Sequence, residues 1–300
     1  MKKPDTNLKI IIADPMETEA VDEIKKLGSI VYKPANLENE LKDADVLIVR
    51  SATKVSQELI AESQKLKIVA RAGVGLDNVD AEACTKRGIK VINTPAASSN
   101  AVAELVIGLM IAMLRNVQKA HMQMKQKIWD KTNLVGKEIA GKTLGIIGCG
   151  RIGSAVAEKA HALGMDIIGF DPHPRENPLI KFVDIDTLFK NADIITLHVA
   201  LSEQTKNLIN AQNIGKMKNG VYLINTSRGE VIDEDALHEA CKSGKIAGAA
   251  LDVYKQEPYA GRLLELDNVC FTPHLGASTK EAQIRIGKEL IEKLKEELCL

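Results

Sequence analysis

One stretch limits the possible folds more than any other: Lys142-Thr143-Leu144-Gly145-Ile146-Ile147, then Gly148-Cys149-Gly150-Arg151-Ile152-Gly153, then a segment to Leu163, then Asp166 to Phe170 closing on Asp171. The first run has the apolar density of a buried strand, and Ile152 to Leu163 carries apolar residues at helical spacing. The glycines therefore occupy a strand-to-helix turn. Gly148 permits the tight turn, Gly150 lets backbone approach a pyrophosphate, and Gly153 lets the helix pack on the strand, while the helix start attracts phosphate charge. Asp171 follows Gly153 by 18 positions, near the spacing of an acid that binds an adenine ribose. This unit predicts a dinucleotide site. A carboxylate at 171 repels a 2′-phosphate and favours NAD; Arg175, close by, keeps NADP open.

The rest of the chain repeats the alternation. Strands are expected at Leu8 to Ala13, Val46 to Val49, Ile68 to Ala72 and Lys90 to Asn93, with helices around Glu17 to Leu27, Leu37 to Lys42, Gln57 to Ala61 and Ala81 to Lys86. A second series starts at Thr143 and runs through Ile167, Ile194 to Leu197, Val221 to Asn225, Ile246 to Leu251 and Val269 to Thr272. Such alternation builds parallel sheets covered by helices. The expected architecture is α/β: two doubly wound, Rossmann-like parallel-sheet domains with an active-site cleft between them, at the carboxyl ends of the strands. A substrate-binding domain would comprise 1–96 and 279–300, and a dinucleotide-binding domain 97–278. One long helix is expected from about Ala101 to Gln126, after a hinge at Thr94-Pro95. The last helix, from about Lys280 to Leu300, would cover the first domain with Ile284, Leu290, Ile291, Leu294 and Leu298.

Lysine plus arginine equals aspartate plus glutamate, 40 against 40, so no overall field favours nucleic acid or an anionic membrane. Five cysteines without CxxC or metal-ligand spacing read as reduced thiols, and no metal site is expected. The short apolar run behind MKKPDTN is a first strand rather than a signal-peptide core, which points to the cytoplasm.

Three further residues share a position. Arg228 follows the strand Val221 to Asn225, Glu257 follows Ile246 to Leu251, and His274 follows Val269 to Thr272. A guanidinium past a strand end can grip a carboxylate, and a histidine there can act as acid or base. Alone, each is explained by a solvated loop or a structural histidine; together they favour catalysis.

NTSRGEVIDEDAL, AALDVYKQEP and FTPHLGASTKEA, in this order after the glycine turn, resemble the signatures of the D-isomer-specific 2-hydroxyacid dehydrogenase family, and the resemblance covers nearly the whole chain. RSATKV (50 to 55), RAGVGLDNVD (71 to 80) and GASTKEAQ (276 to 283) are most similar to its phosphoglycerate dehydrogenase branch. The resemblance implies an NAD-dependent enzyme in which Arg228 holds the substrate carboxylate, His274 is the acid-base, and Glu257 hydrogen-bonds the imidazole and favours its protonated form. Cofactor contacts would come from Gly148, Gly150, Arg151, Ile152, Gly153, Asp171, His198, Val102, Thr226, Ser227, Asp252 and Gly276. Substrate contacts would come from Arg50, Ser51, Ala52, Thr53, Arg71, Gly73, Val74 and Gly75, and Lys131 would reach substrate from a neighbouring subunit. The implied assembly is a homodimer through the dinucleotide-binding domain. Ala200 stands where the family often has proline, which would relax the loop beside the cofactor. No segment follows the last helix to form the serine-binding regulatory domains of longer members, so serine feedback by that route is not expected. Two alternatives stay open: a glyoxylate or hydroxypyruvate reductase on the same fold, and a non-enzymatic NAD-sensing corepressor-like protein.

Overall fold

The computed structural model describes residues 8–299. In chain order the elements begin β1 (Lys9–Ile12), α1 (Thr18–Ile24), β2 (Ser29–Tyr32), α2 (Leu37–Leu41), β3 (Val46–Val49), α3 (Gln57–Ala61), β4 (Ile68–Arg71), α4 (Ala81–Lys86) and β5 (Lys90–Asn93). They continue with α5 (Ser99–Leu114), α6 (Val117–Lys125), β6 (Thr143–Ile147), α7 (Arg151–Ala162), β7 (Asp166–Phe170), β8 (Lys181–Phe182), α8 (Ile185–Asn191) and β9 (Ile194–Leu197). The series closes with α9 (Ala211–Lys216), β10 (Val221–Asn225), α10 (Glu234–Ser243), β11 (Ile246–Leu251), β12 (Val269–Phe271) and α11 (Lys280–Leu298). Short polar residues start many helices: Ser56, Asp80, Asp233 and Thr279 each accept a first-turn backbone N–H of α3, α4, α10 and α11.

The chain forms two units. One runs to Ser98 and resumes at Ala277; the other is Ser99–Gly276. Each crossing lies two residues from the expected 96 and 278. Locally, α11 holds the segment around Thr94-Pro95 to the first unit. Lys293 Nζ donates to the Asn93 carbonyl at 2.7 Å, Arg285 Nε donates to the Ala97 carbonyl at 2.9 Å, and the Ala97 N–H donates to Glu289 at 3.0 Å.

The first unit is a five-stranded parallel sheet in the order β2-β1-β3-β4-β5. Strand alternation gives it two cores. Ile10, Ile12, Val46 and Ile48 face α1 and α11, whereas Ile11, Leu47 and Val49 face α2, α3 and α4. The second unit is a seven-stranded parallel sheet in the order β12-β11-β10-β9-β6-β7-β8, with α5 and α7 on one face and α8, α9 and α10 on the other. In both sheets the order reverses beside the first strand, at β1/β3 and at β6/β9. These are the switch points at whose carboxyl ends such sheets bind ligands.

Four expectations are corrected. β2 and β8 were not foreseen: SIVY is partly exposed, and β8 is two residues at an edge. The single helix expected over 101–126 is two helices bent by 65°, because Asn116 takes a left-handed φ of 54° that asparagine tolerates. The returning chain seals that break, since the Lys137 N–H donates to the Leu114 carbonyl at 2.9 Å. Finally, Ile284 is 37% exposed, and Ile286 takes the place expected for it on the buried face of α11. Among the described residues no single helix is long and apolar enough to cross a membrane.

Candidate active site

The glycine turn lies at the second unit's switch point. Gly148 has φ +92°, and a side chain there would meet the His198 carbonyl oxygen at 2.5 Å, so β6 and the end of β9 approach as only glycine allows. Gly153 packs the first turn of α7 against the Gly148 carbonyl. Gly150 differs: its φ of −71° suits any residue, and nothing lies within 4 Å of where its Cβ would be. The protein's own packing does not require glycine there. It leaves room outside the turn, and Gly150 puts no side-chain cap on α7, so the helix start faces that room. Asp171 is turned toward the same place, its Oδ2 accepting from the Cys149 N–H at 2.8 Å and its Oδ1 from the His173 N–H at 2.9 Å. Each oxygen keeps a lone pair for a ribose hydroxyl. The residues fit a dinucleotide. Arg151 is exposed and Ile152 half-buried on the first turn of α7. His198 bonds Thr196 Oγ1 through Nε2 at 3.0 Å, and desolvation pushes its pKa down to about 3, so it is a neutral imidazole.

Arg228, Glu257 and His274 belong to loops after β10, β11 and β12, and the structure brings the last two into contact. His274 Nδ1 lies 2.9 Å from Glu257 Oε2 and 3.2 Å from Oε1. That leaves Nε2 as the outward nitrogen. Both side chains are partly open to solvent, at 44% and 39%. The backbone holding His274 is unusual for its type, with φ 54°. Asp252, 1% exposed, stabilises it: the His274 N–H donates to the Asp252 carbonyl at 2.9 Å. Its carboxylate accepts from Thr272 Oγ1 at 2.6 Å and from the N–H groups of Leu275 and Gly276 at 2.7 and 2.9 Å. Burial pushes the Asp252 carboxyl above its ordinary value, and these donors oppose the shift. Gly276 also packs on Val102 of α5, bringing three expected cofactor residues together.

Arg228 is set by two devices. Asn225, fully buried, donates through Nδ2 to the Arg228 carbonyl at 2.8 Å and accepts from the N–H and hydroxyl of Ser227 at 3.0 and 2.8 Å. Gly229 then lies flat against the Tyr254–Lys255 peptide, so the arginine loop rests on the strand exit that leads to Glu257. Thr226 Oγ1 between them is buried with no hydrogen-bond partner, an acceptor and donor left for a ligand.

In the first unit, Arg50 follows β3 and its guanidinium donates to the Pro15 carbonyl at 3.0 Å. Asp14, 4% exposed at the end of β1, accepts the N–H of Arg50 at 2.6 Å, the N–H of Thr53 at 3.2 Å and the Thr53 hydroxyl at 2.7 Å. Asn78 Nδ2 donates to the carbonyls of Arg50 and Thr53 at 2.7 and 2.6 Å. Ser51 and Ala52 are left exposed between these pinned residues. Arg71 ends β4 and folds its guanidinium over Gly73; Val74 and Gly75 are half-buried beyond it. Lys131 is exposed in the arm after α6. Sequence reading passed over Asn225, Asp14 and Asn78. The available signal was position, since Asn225 ends β10 and Asp14 lies just past β1.

The profile described as "D-isomer specific 2-hydroxyacid dehydrogenase, NAD binding domain" matches residues 107–276. The hydroxypyruvate reductase of Thermotoga maritima is 48% identical over 300 residues, covering 97% of this chain and 98% of that protein. The D-3-phosphoglycerate dehydrogenase of Methanocaldococcus jannaschii is 47% identical over 301 residues, 97% of this chain but 57% of its own length. The chain thus spans little more than half of that longer relative. Among solved structures, D-lactate dehydrogenase from Aquifex aeolicus, complexed with NAD and lactic acid, superimposes with a TM-score of 0.85 at 33% identity, over 96% of this chain and 94% of that one.

Proposed function

Because the chain belongs to the NAD-dependent D-isomer-specific 2-hydroxyacid dehydrogenase family, we propose that it oxidises 3-phospho-D-glycerate to 3-phosphohydroxypyruvate and catalyses the reverse reduction, the entry to phosphorylated serine synthesis. The observation that carries this reading is cationic. Arg50 lines a recess of about 340 Å³ within the first unit, with Lys280, Ser278, Thr279 and Gln283 on its wall and Glu17 as the only acid there. A phosphate needs such a set of cations and hydroxyls, and an unphosphorylated hydroxy acid does not.

NAD, held by the Gly148–Gly153 turn and Asp171, supplies the hydride acceptor and in reverse the donor. The side chains divide the remaining work. Arg228 takes the substrate carboxylate in a fork. His274 receives the hydroxyl proton on its outward Nε2 during oxidation and returns it during reduction. Glu257, on Nδ1, stabilises the positive charge the ring acquires. Arg50 and Arg71 hold the phosphate end, and the backbone of 51–53 and 73–75 offers donors to the substrate carboxylate.

A second reading is favoured by the full-length relative: that protein is named a hydroxypyruvate reductase. Steady-state NADH oxidation with phosphohydroxypyruvate, hydroxypyruvate and glyoxylate, using wild type and an Arg50→Ala, Arg71→Ala double variant, separates the two. A phosphate preference that collapses in the variant supports the first reading. Equal or better turnover of the unphosphorylated acids replaces it with the second, and tight NADH binding without turnover points to an NAD sensor.

The same reading makes the enzyme a cytosolic homodimer paired through the dinucleotide-binding unit. Its support is the apolar surface of α6 and the following arm, where Val117, Met122, Met124, Ile128, Trp129 and Val135 are all exposed. In such a dimer Lys131 would serve the neighbouring subunit's substrate. Light scattering of the purified chain tests the pairing.

A further inference from the structure

The first unit has a switch point of its own, between β1 and β3, and two residues to which the sequence assigned no role stand at it. Asp14 leaves β1, Arg50 leaves β3, and Asn78 comes from the loop after β4. From these contacts we infer that Asp14 and Asn78 are a positioning pair that builds residues 50–53 into a rigid anion cradle for the substrate, and so govern substrate affinity without touching substrate. The inference rests on the reading of 50–53 as the segment that binds the substrate's charged end.

The two members act on opposite polarities of the same two residues. Asp14 takes the N–H groups of Arg50 and Thr53, and Asn78 gives its two amide hydrogens to their carbonyls. Every backbone polar group of the segment's end residues that faces inward is thereby used. Ser51 and Ala52, between them, are exposed with neither residue of the pair on their N–H groups. A four-residue turn pinned at both ends has lost its conformational entropy before any ligand arrives, so binding does not have to remove it. The pinning also sets where the Arg50 side chain starts. Its guanidinium then reaches back to the Pro15 carbonyl, on the same β1 exit that carries Asp14.

The choice of a carboxylate at 14 is informative. A buried anion beside an anion-binding segment is unfavourable unless its charge is consumed, and three donors consume it here. An asparagine at 14 would keep the shape and turn one acceptor into a donor facing an N–H or a hydroxyl. An aspartate at 78 would put acceptors against two carbonyls. Each change of one or two atoms therefore loosens the segment while leaving its volume alone.

The test uses Asp14→Asn and Asn78→Asp in the full chain, with Arg50→Ala as reference and Thr53→Val against Thr53→Ser as a milder pair that removes or keeps only the hydroxyl on Asp14. Steady-state kinetics with phosphohydroxypyruvate, NADH binding by fluorescence and thermal melting are measured for all. Losing a hydrogen bond to a charged group corresponds to a factor of roughly ten to a hundred. The expected result is a KM raised about tenfold or more in Asp14→Asn, Asn78→Asp and Thr53→Val, with kcat falling less than about threefold, NADH affinity held, and Thr53→Ser recovering most of what Thr53→Val loses. If Arg50→Ala raises KM but the folded Asp14 and Asn78 variants stay within about twofold of wild type, the pair is merely structural and the inference falls alone. Should Asp14→Asn fail to fold, the Thr53 pair decides in the same way. If Arg50→Ala leaves KM unaltered for every acid, the segment does not bind substrate and the reading beneath the inference falls with it.

Discussion

Gly229→Ala should separate catalysis from cofactor binding. An added methyl would stand 2.5 Å from the Tyr254 carbonyl oxygen and closer still to the Tyr254–Lys255 peptide bond, all backbone atoms that cannot rotate away. Ordinary carbon contacts begin near ~3.5 Å and the nearest atom, the Tyr254 carbonyl carbon, would stand at 2.0 Å, so one loop must retreat by roughly 1.5 Å. If the 226–229 loop moves, Arg228 moves with it; if the 254–257 loop moves, Glu257 does. A displacement of that size in a catalytic group costs on the order of a hundredfold in rate, and the overpacking itself about 1–3 kcal/mol of stability. The glycine turn lies after another strand and only Thr226 and Ser227 of the expected cofactor contacts ride on the arginine loop, so NADH affinity should fall far less than the rate. Keto-acid kinetics, NADH fluorescence titration and urea melts read these three quantities separately. A variant whose kcat/KM lies within threefold of wild type, or one whose rate loss is matched by loss of NADH binding, would refute the coupling of the arginine loop to the Glu257 loop.

Gly150→Ala is the complementary case: with nothing within 4 Å of the new methyl, melting should be unaltered while NADH affinity drops at least tenfold, and a simultaneous loss of both would contradict the assignment of that space to the cofactor. Asp193 provides a pH dependence. Partial burial disfavours its charge, but the Lys218 ammonium at 2.8 Å and the Thr143 N–H at 2.9 Å outweigh this and hold the carboxyl below its ordinary value. Its stabilisation is therefore complete above the unfolded pKa of about 4 and is lost as pH falls through the lowered folded value. Asp193→Asn should cost about 1 kcal/mol at pH 7 in urea melts, with a gap from wild type that narrows below pH 4; a constant gap down to pH 3 would count against it. Burial pushes the thiols of Cys149 and Cys241 up to about 12, whereas Cys299 is exposed. Iodoacetamide on the folded protein at pH 8 should label Cys299 alone of these three, as peptide mass spectrometry would show.

The parts of the molecule legible in the sequence are those whose physics is local. A buried parallel strand needs an unbroken apolar run, so Val46–Val49 and Ile194–Leu197 could be read residue by residue. The glycine turn was legible because its spacing, the apolar run before it and the helical spacing after it lie together in the chain, although the His198 carbonyl that requires Gly148 arrives only after β9. The break at Asn116 was not, since leucine and methionine spacing runs on through it and the chain that seals it arrives only at Lys137. Ile284 misled for a similar reason: helical spacing places it near the apolar stripe, but Gly287 and Ile286 turn that stripe toward α1. Asp14 belongs to no motif, and Asn78 and Asn225, inside RAGVGLDNVD and at the head of NTSRGEVIDEDAL, carry no local sign of their own role. What marks them is burial, full for Asp14 and Asn225 and partial for Asn78, joined to several hydrogen bonds, some across more than twenty residues of chain, and burial is decided by the whole sheet.

The first unit is discontinuous, and its order of synthesis follows from that. Ile286, Leu290, Ile291 and Leu294 of α11 fill one of its two cores, yet all of Ser99–Gly276 leaves the ribosome before them. At roughly 5–20 residues per second that interval is on the order of ten to thirty seconds. Throughout it, the sheet face formed by Ile10, Ile12, Val46 and Ile48 has only α1 to cover it. The nascent chain therefore carries a sticky half-domain while the later unit completes, and the amino-terminal part of this enzyme is the last to become native.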